Sequence, residues 1–134
     1  MTETTERMEL DVVRGVYEAV GRGDLDAVAA ALDEDVVWIE PEGGTYGGRY
    51  HGPEAVVEEV LGSVAGEWEE FAVEPERFLV DDGTVVALVT HRGLHTNGER
   101  FEAPIVDVWE VEDGRVVRFQ HYVGDLEYVE ARRA

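Results

Sequence analysis

The 134-residue sequence contains no cysteine and no lysine, and each absence removes a class of function. Without cysteine the chain has no disulfide, no thiolate nucleophile and no thiolate-bound zinc or iron–sulfur centre. Without lysine, all 11 basic residues are arginines, and 31 acidic residues outnumber them to give a formal net charge of −20. Nucleic acids and anionic membranes are therefore not expected as partners, because both are bound through basic patches.

Long apolar runs are also missing, and the acidic residues are spread along the whole chain rather than gathered in one block. No run approaches the roughly 20 residues that span a bilayer. The first ten residues, MTETTERMEL, lack the features of a secretion signal, so a cytoplasmic location is expected. In molar salt the screening length falls to ~3 Å, and a strongly acidic surface then tolerates its own repulsion. The composition predicts a protein that works in high salt.

Four histidines remain as candidate metal ligands, at positions 51, 91, 95 and 121. They form no HExxH motif, and His91 and His95 lie in a segment whose alternation predicts a strand rather than a helix. We therefore expect neither a metal ion nor another cofactor.

Apolar periodicity is helical in the first half of the chain and alternating in the second, which predicts an α+β fold in one domain, residues 1–134. Helices are expected at residues 6–20, at 25–32 with Asp24 as N-cap, and from Pro53 to about residue 64. A short strand is expected at residues 36–40, before an irregular glycine-rich loop. Asp-Gly and Asn-Gly turns divide the rest into an antiparallel meander of strands at 67–80, 84–95, 100–112 and 115–123, and residues 125–134 form a polar tail with some helical character.

Four stretches of the chain resemble, in order and spacing, the SnoaL-like and ketosteroid isomerase-like branch of the NTF2-like superfamily. They are GDLDAVAAAL, DVVWIEPEG, YHGPEAVVEEV and APIVDVWEVEDGRVVRFQHY. The resemblance implies a cone in which three N-terminal helices pack on a curved antiparallel or mixed sheet and enclose a pocket for an apolar small molecule. The superfamily includes isomerases, polyketide cyclases, epoxide hydrolases and binding-only members, so the resemblance does not fix the reaction.

Glu40 is the first candidate catalytic residue, because strand alternation places it on the same face as Trp38. In ketosteroid isomerases the general base is an Asp immediately before a Pro at the matching position. Glu40 precedes Pro41 here, so the resemblance gives Glu40 the role of base. An apolar pocket suits a carboxylate to removing a proton beside a carbonyl group. The alternative is that Glu40 lies on the surface at the end of a strand.

Asp107 is the second candidate, because it shares a strand face with Ile105 and Trp109. A protonated Asp107 could donate a hydrogen bond to a developing oxyanion, and an ionised one could share the role of base with Glu40. A β-bulge that exchanged the two faces of the strand would instead leave Asp107 in solvent.

The remaining candidates are ligand-contacting residues on the expected pocket walls: Trp38, Trp109, Gln120, Tyr122, Tyr17 and His91. The resemblance places the oxyanion tyrosine of the isomerases at Val16. Tyr17 is one residue away and is expected to point about 100° from that direction. The last-strand Asp of the cyclases falls at Gly124, with Asp125 one residue later.

The leading hypothesis is a cofactor-independent isomerase or cyclase that acts on a cyclic carbonyl compound, with Glu40 as base and Asp107 as its partner. A non-catalytic ligand-binding or dimerisation module is the alternative. Epoxide hydrolysis is a third possibility; it needs an Asp-Arg-Asp group to which Arg118 and Asp107 could contribute. A homodimer is expected, because the outer face of the sheet carries valines and Phe119 that one layer of helices cannot cover.

Overall fold

The fold is described by a computed structural model that covers residues 3–41, 47–62 and 68–123. Its helices are α1 (Glu3–Gly21), α2 (Leu25–Ala31) and α3 (Pro53–Ala55), and α3 continues into a π-helical segment, Val56–Leu61. Its strands are β1 (Leu32–Glu40), β2 (Gly48–His51), β3 (Trp68–Asp81), β4 (Thr84–His95), β5 (Arg100–Glu112) and β6 (Arg115–Val123).

The first two helices form where the sequence predicts them. The buried face of α1 includes Val13 and Val16, as expected for an amphipathic helix that packs on a sheet. Asp24 caps α2, because its side chain accepts a hydrogen bond from the backbone N–H of Ala27 at 3.1 Å. The helix ends one residue earlier than predicted, since Leu32 is already extended and begins β1.

The strands form one mixed sheet in the order β2-β1-β6-β5-β4-β3. The meander from β3 to β6 is antiparallel, as predicted, and β1 joins it through a parallel pairing with β6. The turns at Asp82-Gly83 and Asp113-Gly114 have positive φ at both residues, which is the conformation of a two-residue type I′ hairpin. The parallel pairing sets Trp38 of β1 beside Phe119 of β6.

Two segments differ from the prediction. Residues 48–51, predicted as irregular loop, form β2, which pairs antiparallel with β1 at the edge of the sheet. The predicted third helix is α-helical at Pro53–Ala55 and then widens into the π-helical segment. The centre of the glycine-rich loop at 42–46, the predicted helix end at 63–64 and the polar tail at 125–134 lie outside the described residues.

The core lies between the helices and the inner face of the sheet. Fully buried valines supply much of it: Val13, Val28, Val36, Val56, Val85 and Val116. Among the described helices, none has the length and apolar character needed to cross a bilayer.

Candidate active site

A cavity of about 590 Å³ lies between the helices and the inner face of the sheet. Side chains from α1, α2, the π-helical segment, β1 and β3–β6 line it, and most of them are apolar or aromatic. Among the described residues, the polar side chains on its walls are those of Tyr17, Glu40, His91, Asp107 and His121. A few polar groups in an apolar pocket of this size are typical of a small-molecule site.

Glu40 is buried in the cavity wall, with 4% of its surface exposed. The indole Nε1–H of Trp38 donates a hydrogen bond to Glu40 Oε2 at 2.9 Å, which is possible because the two residues share one face of β1. Trp38 is held in turn by stacking on Phe119, with ring centroids 3.9 Å apart. The surface alternative for Glu40 is therefore excluded.

Asp107 is also buried, with 2% of its surface exposed, and both of its carboxylate oxygens have protein partners. Tyr17 O–H donates to Oδ2 at 2.5 Å, and Oδ1 lies 2.6 Å from His121 Nδ1. The Tyr17 oxygen also accepts a hydrogen bond from Trp109 Nε1–H at 3.0 Å. We call this chain of four side chains, Trp109–Tyr17–Asp107–His121, the Asp107 network; it ties α1 to β5 and β6.

Tyr17 lies in the cavity wall, where a ligand-contacting residue was expected, and so does Val16, the position matched to the oxyanion tyrosine of the isomerases. Val16 and Tyr17 are both buried, because α1 packs into a concave sheet that covers more than one line of residues on the helix. Burial raises the pKa of the Tyr17 hydroxyl, and the adjacent Asp107 raises it further. Tyr17 is therefore a hydrogen-bond donor in this site and not a base.

Two imidazole rings lie next to each other in the cavity wall. His91, a predicted contact residue, is buried, and its ring centroid is 5.1 Å from that of His121. Phe71 packs against His91 in an edge-on arrangement at 5.3 Å. His121 was not among the predicted catalytic residues, although its Nδ1 lies only 2.6 Å from the carboxylate of Asp107.

Gln120 and Tyr122 do not line the cavity, and their prediction as wall residues is wrong. Gln120 lies on the outer face of β6, and Tyr122 is 50% exposed. Their alternate neighbours Phe119 and His121 occupy the inner face instead. The expectation that Phe119 lies on the outer face is also wrong, because Phe119 lies on the inner face.

A β-bulge in the β5–β6 hairpin explains the exchange of faces. Val111 pairs with Val116, but Glu110 pairs with Arg118, so Val117 has no residue opposite it. If Val117 were paired in a regular ladder, counting back from the Asp113-Gly114 turn would place Gln120 opposite Asp107. The bulge places His121 there, and residues opposite each other on paired strands share a face of the sheet.

The outer face also holds Arg118, which the epoxide hydrolase hypothesis requires near Asp107. Its side chain contacts Glu110 at 3.4 Å and Gln120 at 3.3 Å. No arginine belongs to the described part of the cavity wall, so the geometry does not support an Asp-Arg-Asp group. Within the described ranges, no group of three or more acidic or histidine side chains is arranged to hold a metal ion.

Helices that pack on a mixed sheet and enclose a cavity are the arrangement of an NTF2-like protein. Comparison with known proteins identifies the family within this superfamily. A family model described as a SnoaL-like domain matches residues 13–119. The chain therefore belongs to the SnoaL-like domain family. None of the curated proteins compared with the chain matches it.

Solved structures support the same fold. An NTF2-like protein of unknown function from Burkholderia pseudomallei K96243 is 32% identical over 95% of this chain and 98% of its own, with a TM-score of 0.86. A candidate polyketide cyclase from Xanthomonas campestris pv. campestris is 23% identical over 96% and 98%, with a TM-score of 0.77. A protein with a ketosteroid isomerase-like fold from Catenulispora acidiphila DSM 44928, in complex with trimethylamine, is 15% identical over 91% of each chain, with a TM-score of 0.78. The last two show similarity of fold alone.

Proposed function

We propose that the chain is a cofactor-independent acid/base enzyme, an isomerase or cyclase, that moves a proton beside the carbonyl group of an apolar cyclic compound. The observation that carries the proposal is the buried contact of 2.6 Å between Asp107 and His121, in a cavity whose wall also holds Glu40. Buried ionisable groups in an otherwise apolar pocket are costly to maintain and are concentrated at catalytic sites.

Glu40 is the proposed base. Its carboxylate accepts one hydrogen bond from Trp38, which fixes its orientation, and a carboxylate can accept several more. Proton transfer by a fixed carboxylate contributes about 10²–10⁴-fold to the rate of such reactions.

The substrate is proposed to be apolar and uncharged. The cavity volume of about 590 Å³ suits a ring system of drug-like size, and Trp38, Trp109 and Phe119 supply aromatic surface for it. The described wall carries two carboxylates and no lysine or arginine, which disfavours an anionic ligand. The candidate polyketide cyclase and the ketosteroid isomerase-like protein among the structural neighbours are consistent with this substrate class.

A binding-only role is the second candidate function, and one observation favours it. The N–H or O–H groups of Trp38, Trp109 and Tyr17 each donate to a protein acceptor already. These three donors are therefore not available to hold an oxyanion that develops on a substrate, which is the interaction that usually contributes most to this chemistry.

Exchange of substrate protons for deuterium tests the proposal. In D₂O with molar KCl, the wild-type protein should accelerate loss of the NMR signal of the protons beside the carbonyl group in at least one of a panel of cyclic ketones and enones. Glu40→Gln should reduce that rate by about 100-fold or more, because the amide cannot accept the proton. Glu18→Gln, which changes an exposed acid on α1, is the matched control and should keep the wild-type rate.

Two results would argue against catalysis by Glu40. Equal exchange rates in the wild-type protein and Glu40→Gln would remove Glu40 as base. Chemical-shift changes of cavity residues on ligand addition, without any exchange, would instead support the binding-only role.

A further inference from the structure

We infer that the Asp107 network sets the tautomer of His121, so that the neutral ring carries its proton on Nδ1 and has Nε2 as its proton acceptor. In this arrangement Asp107, Tyr17 and Trp109 are positioning residues, and His121 is a second proton-transfer group beside Glu40. The catalytic meaning of this state rests on the proposed function, but the tautomer itself is a property of the protein without substrate.

The direction of the hydrogen bonds begins at Trp109. An indole N–H can donate and cannot accept, so the Tyr17 oxygen is the acceptor in their 3.0 Å contact. The single proton of the Tyr17 hydroxyl is then directed to its other partner, Asp107 Oδ2, at 2.5 Å. Because that proton belongs to Tyr17, Oδ2 is an acceptor.

The second oxygen of Asp107 sets the state of the histidine. Asp107 Oδ1 lies 2.6 Å from His121 Nδ1, so one proton is shared in this contact. An imidazole N–H that donates to a carboxylate forms a charge-assisted hydrogen bond, which places the proton on Nδ1. A neutral imidazole carries one N–H, and Nε2 is therefore the nitrogen without a proton.

The surroundings of His121 favour one arrangement of the ring. Asp107 on β5 holds its Nδ1 edge, the ring of His91 on β4 lies 5.1 Å away, and the ring of Phe119 on β6 lies 6.0 Å away. Tyr17 on α1 does not contact the His121 ring through a hydrogen bond of its own but donates to Asp107, which holds the ring. All of these side chains are buried, which strengthens the hydrogen bonds among them.

The chemistry that follows is a proton shuttle. Nε2 takes a proton from a C–H bond beside a carbonyl group, and the electron pair of that bond moves into the enolate. The resulting imidazolium is stabilised by the Asp107 carboxylate. The imidazolium then gives a proton back to the enolate, which regenerates the neutral ring, and any exchange of that proton with D₂O before its return replaces it by deuterium.

Long-range ¹H–¹⁵N NMR correlations of the two ring nitrogens test the inference on ¹⁵N-labelled protein without substrate. At about pH 8, the wild-type His121 should show a protonated Nδ1 and an unprotonated Nε2. A proton on Nε2 alone, or protons on both nitrogens, would overturn it. Exposed His51 on β2 is the internal control in the same spectra.

Asp107→Asn adds a sharper test, because the network should invert the tautomer. Tyr17 still donates its proton to the position of Oδ2, so the asparagine oxygen should lie there and its NH₂ group should face His121. Nδ1 then becomes the acceptor, and the proton should move to Nε2. In the double variant with Tyr17→Phe, the amide is free to turn, and a mixture of both tautomers should appear. An unchanged tautomer in Asp107→Asn overturns the role of Tyr17.

The outcomes separate this inference from the proposed function. A wild-type tautomer with the proton on Nδ1, in a protein that catalyses no exchange, supports the inference and not the enzyme. Exchange catalysis by a protein in which His121 carries its proton on Nε2 supports the enzyme and not the inference. If Asp107→Asn does not fold, the wild-type spectrum alone decides the tautomer.

Discussion

The two buried carboxylates of the cavity are held in different ways. Glu40 receives its hydrogen bond from Trp38, two residues away on the same strand. Asp107 depends on Tyr17 from α1 and His121 from β6, which are far from it in sequence. The contact of Glu40 with Trp38 therefore lies within β1, whereas the two contacts of Asp107 exist only when helix and sheet are packed together.

Tyr17→Phe should change how the free energy of unfolding depends on pH in the alkaline range. Burial raises the pKa of Tyr17 in the folded state, whereas tyrosine in the unfolded chain titrates near pH 10. Above that pH the unfolded chain loses a proton that the folded protein keeps. The stabilising contribution of the Tyr17 proton is thus complete below about pH 10 and falls by ~1.4 kcal/mol per pH unit above it.

Urea unfolding followed by circular dichroism between about pH 9 and 11 measures this dependence, since it spans the ordinary tyrosine pKa. Tyr17→Phe should be less stable at neutral pH by about 1–3 kcal/mol, because it leaves a buried acceptor without its donor. Its stability should then fall less steeply with pH than that of the wild type. Trp109→Phe keeps the Tyr17 hydroxyl and should keep the steeper slope; identical slopes in all three proteins would contradict the prediction.

At the scale of elements, the β5–β6 hairpin decides which side chains the cavity contains. Deleting Val117 together with Arg118 would pair Phe119 with Glu110 and His121 with Val108 in a regular ladder, which turns both side chains outward and turns Gln120 inward. Loss of a buried aromatic ring costs about 2–3 kcal/mol, and a buried amide without partners adds a similar amount. We expect this deletion to prevent folding or to lower the free energy of unfolding by several kcal/mol.

Val117→Ala is the matched control for the deletion, because it keeps the extra residue and removes only a half-buried side chain. It should cost about 1 kcal/mol or less. Thermal melts in molar KCl compare the two variants with the wild type. A deletion variant with wild-type stability would show that the bulge does not determine the inner face.

The limits of sequence-based prediction follow from the same hairpin. Alternation placed Trp38, Glu40 and Asp107 in the cavity, and the Asp-Gly and Asn-Gly turns defined β4, β5 and β6, because both signals are local. The bulge is not local, since Val117 fits either a regular or a bulged strand and pairing with β5 selects between them. The contact of Tyr17 with Asp107 is not local either, because it depends on how α1 packs on the sheet. Strand β2 was not predicted, because the glycine-rich sequence around it is typical of an irregular loop.

For the whole molecule, we propose a homodimer through the outer face of the sheet. Val106 and Tyr122 are paired across β5 and β6 on this face and are 37% and 50% exposed. Exposed apolar pairs on an open sheet are typical of an interface between copies. The net charge of −20 opposes association, so the dimer should form in molar salt and dissociate as the Debye length approaches ~10 Å near 0.1 M.

Light scattering coupled to gel filtration, in molar and in dilute KCl, measures the mass directly. A variant with Val106→Glu and Tyr122→Glu should be monomeric in molar salt. Met8→Glu, at an exposed position of α1, is the control for the added charge and should remain dimeric. A wild-type monomer at every salt concentration would eliminate the proposed interface.

Two of the three tryptophans, Trp38 and Trp109, lie in the cavity wall with ring centroids 5.7 Å apart. Each indole N–H donates to a polar group of the site, Trp38 to Glu40 and Trp109 to Tyr17. Indole fluorescence responds to the polarity and hydrogen bonding of its surroundings, so the unlabelled protein carries its own optical reporter of ligand entry. Compound libraries can therefore be screened for occupancy of the cavity before any reaction is known.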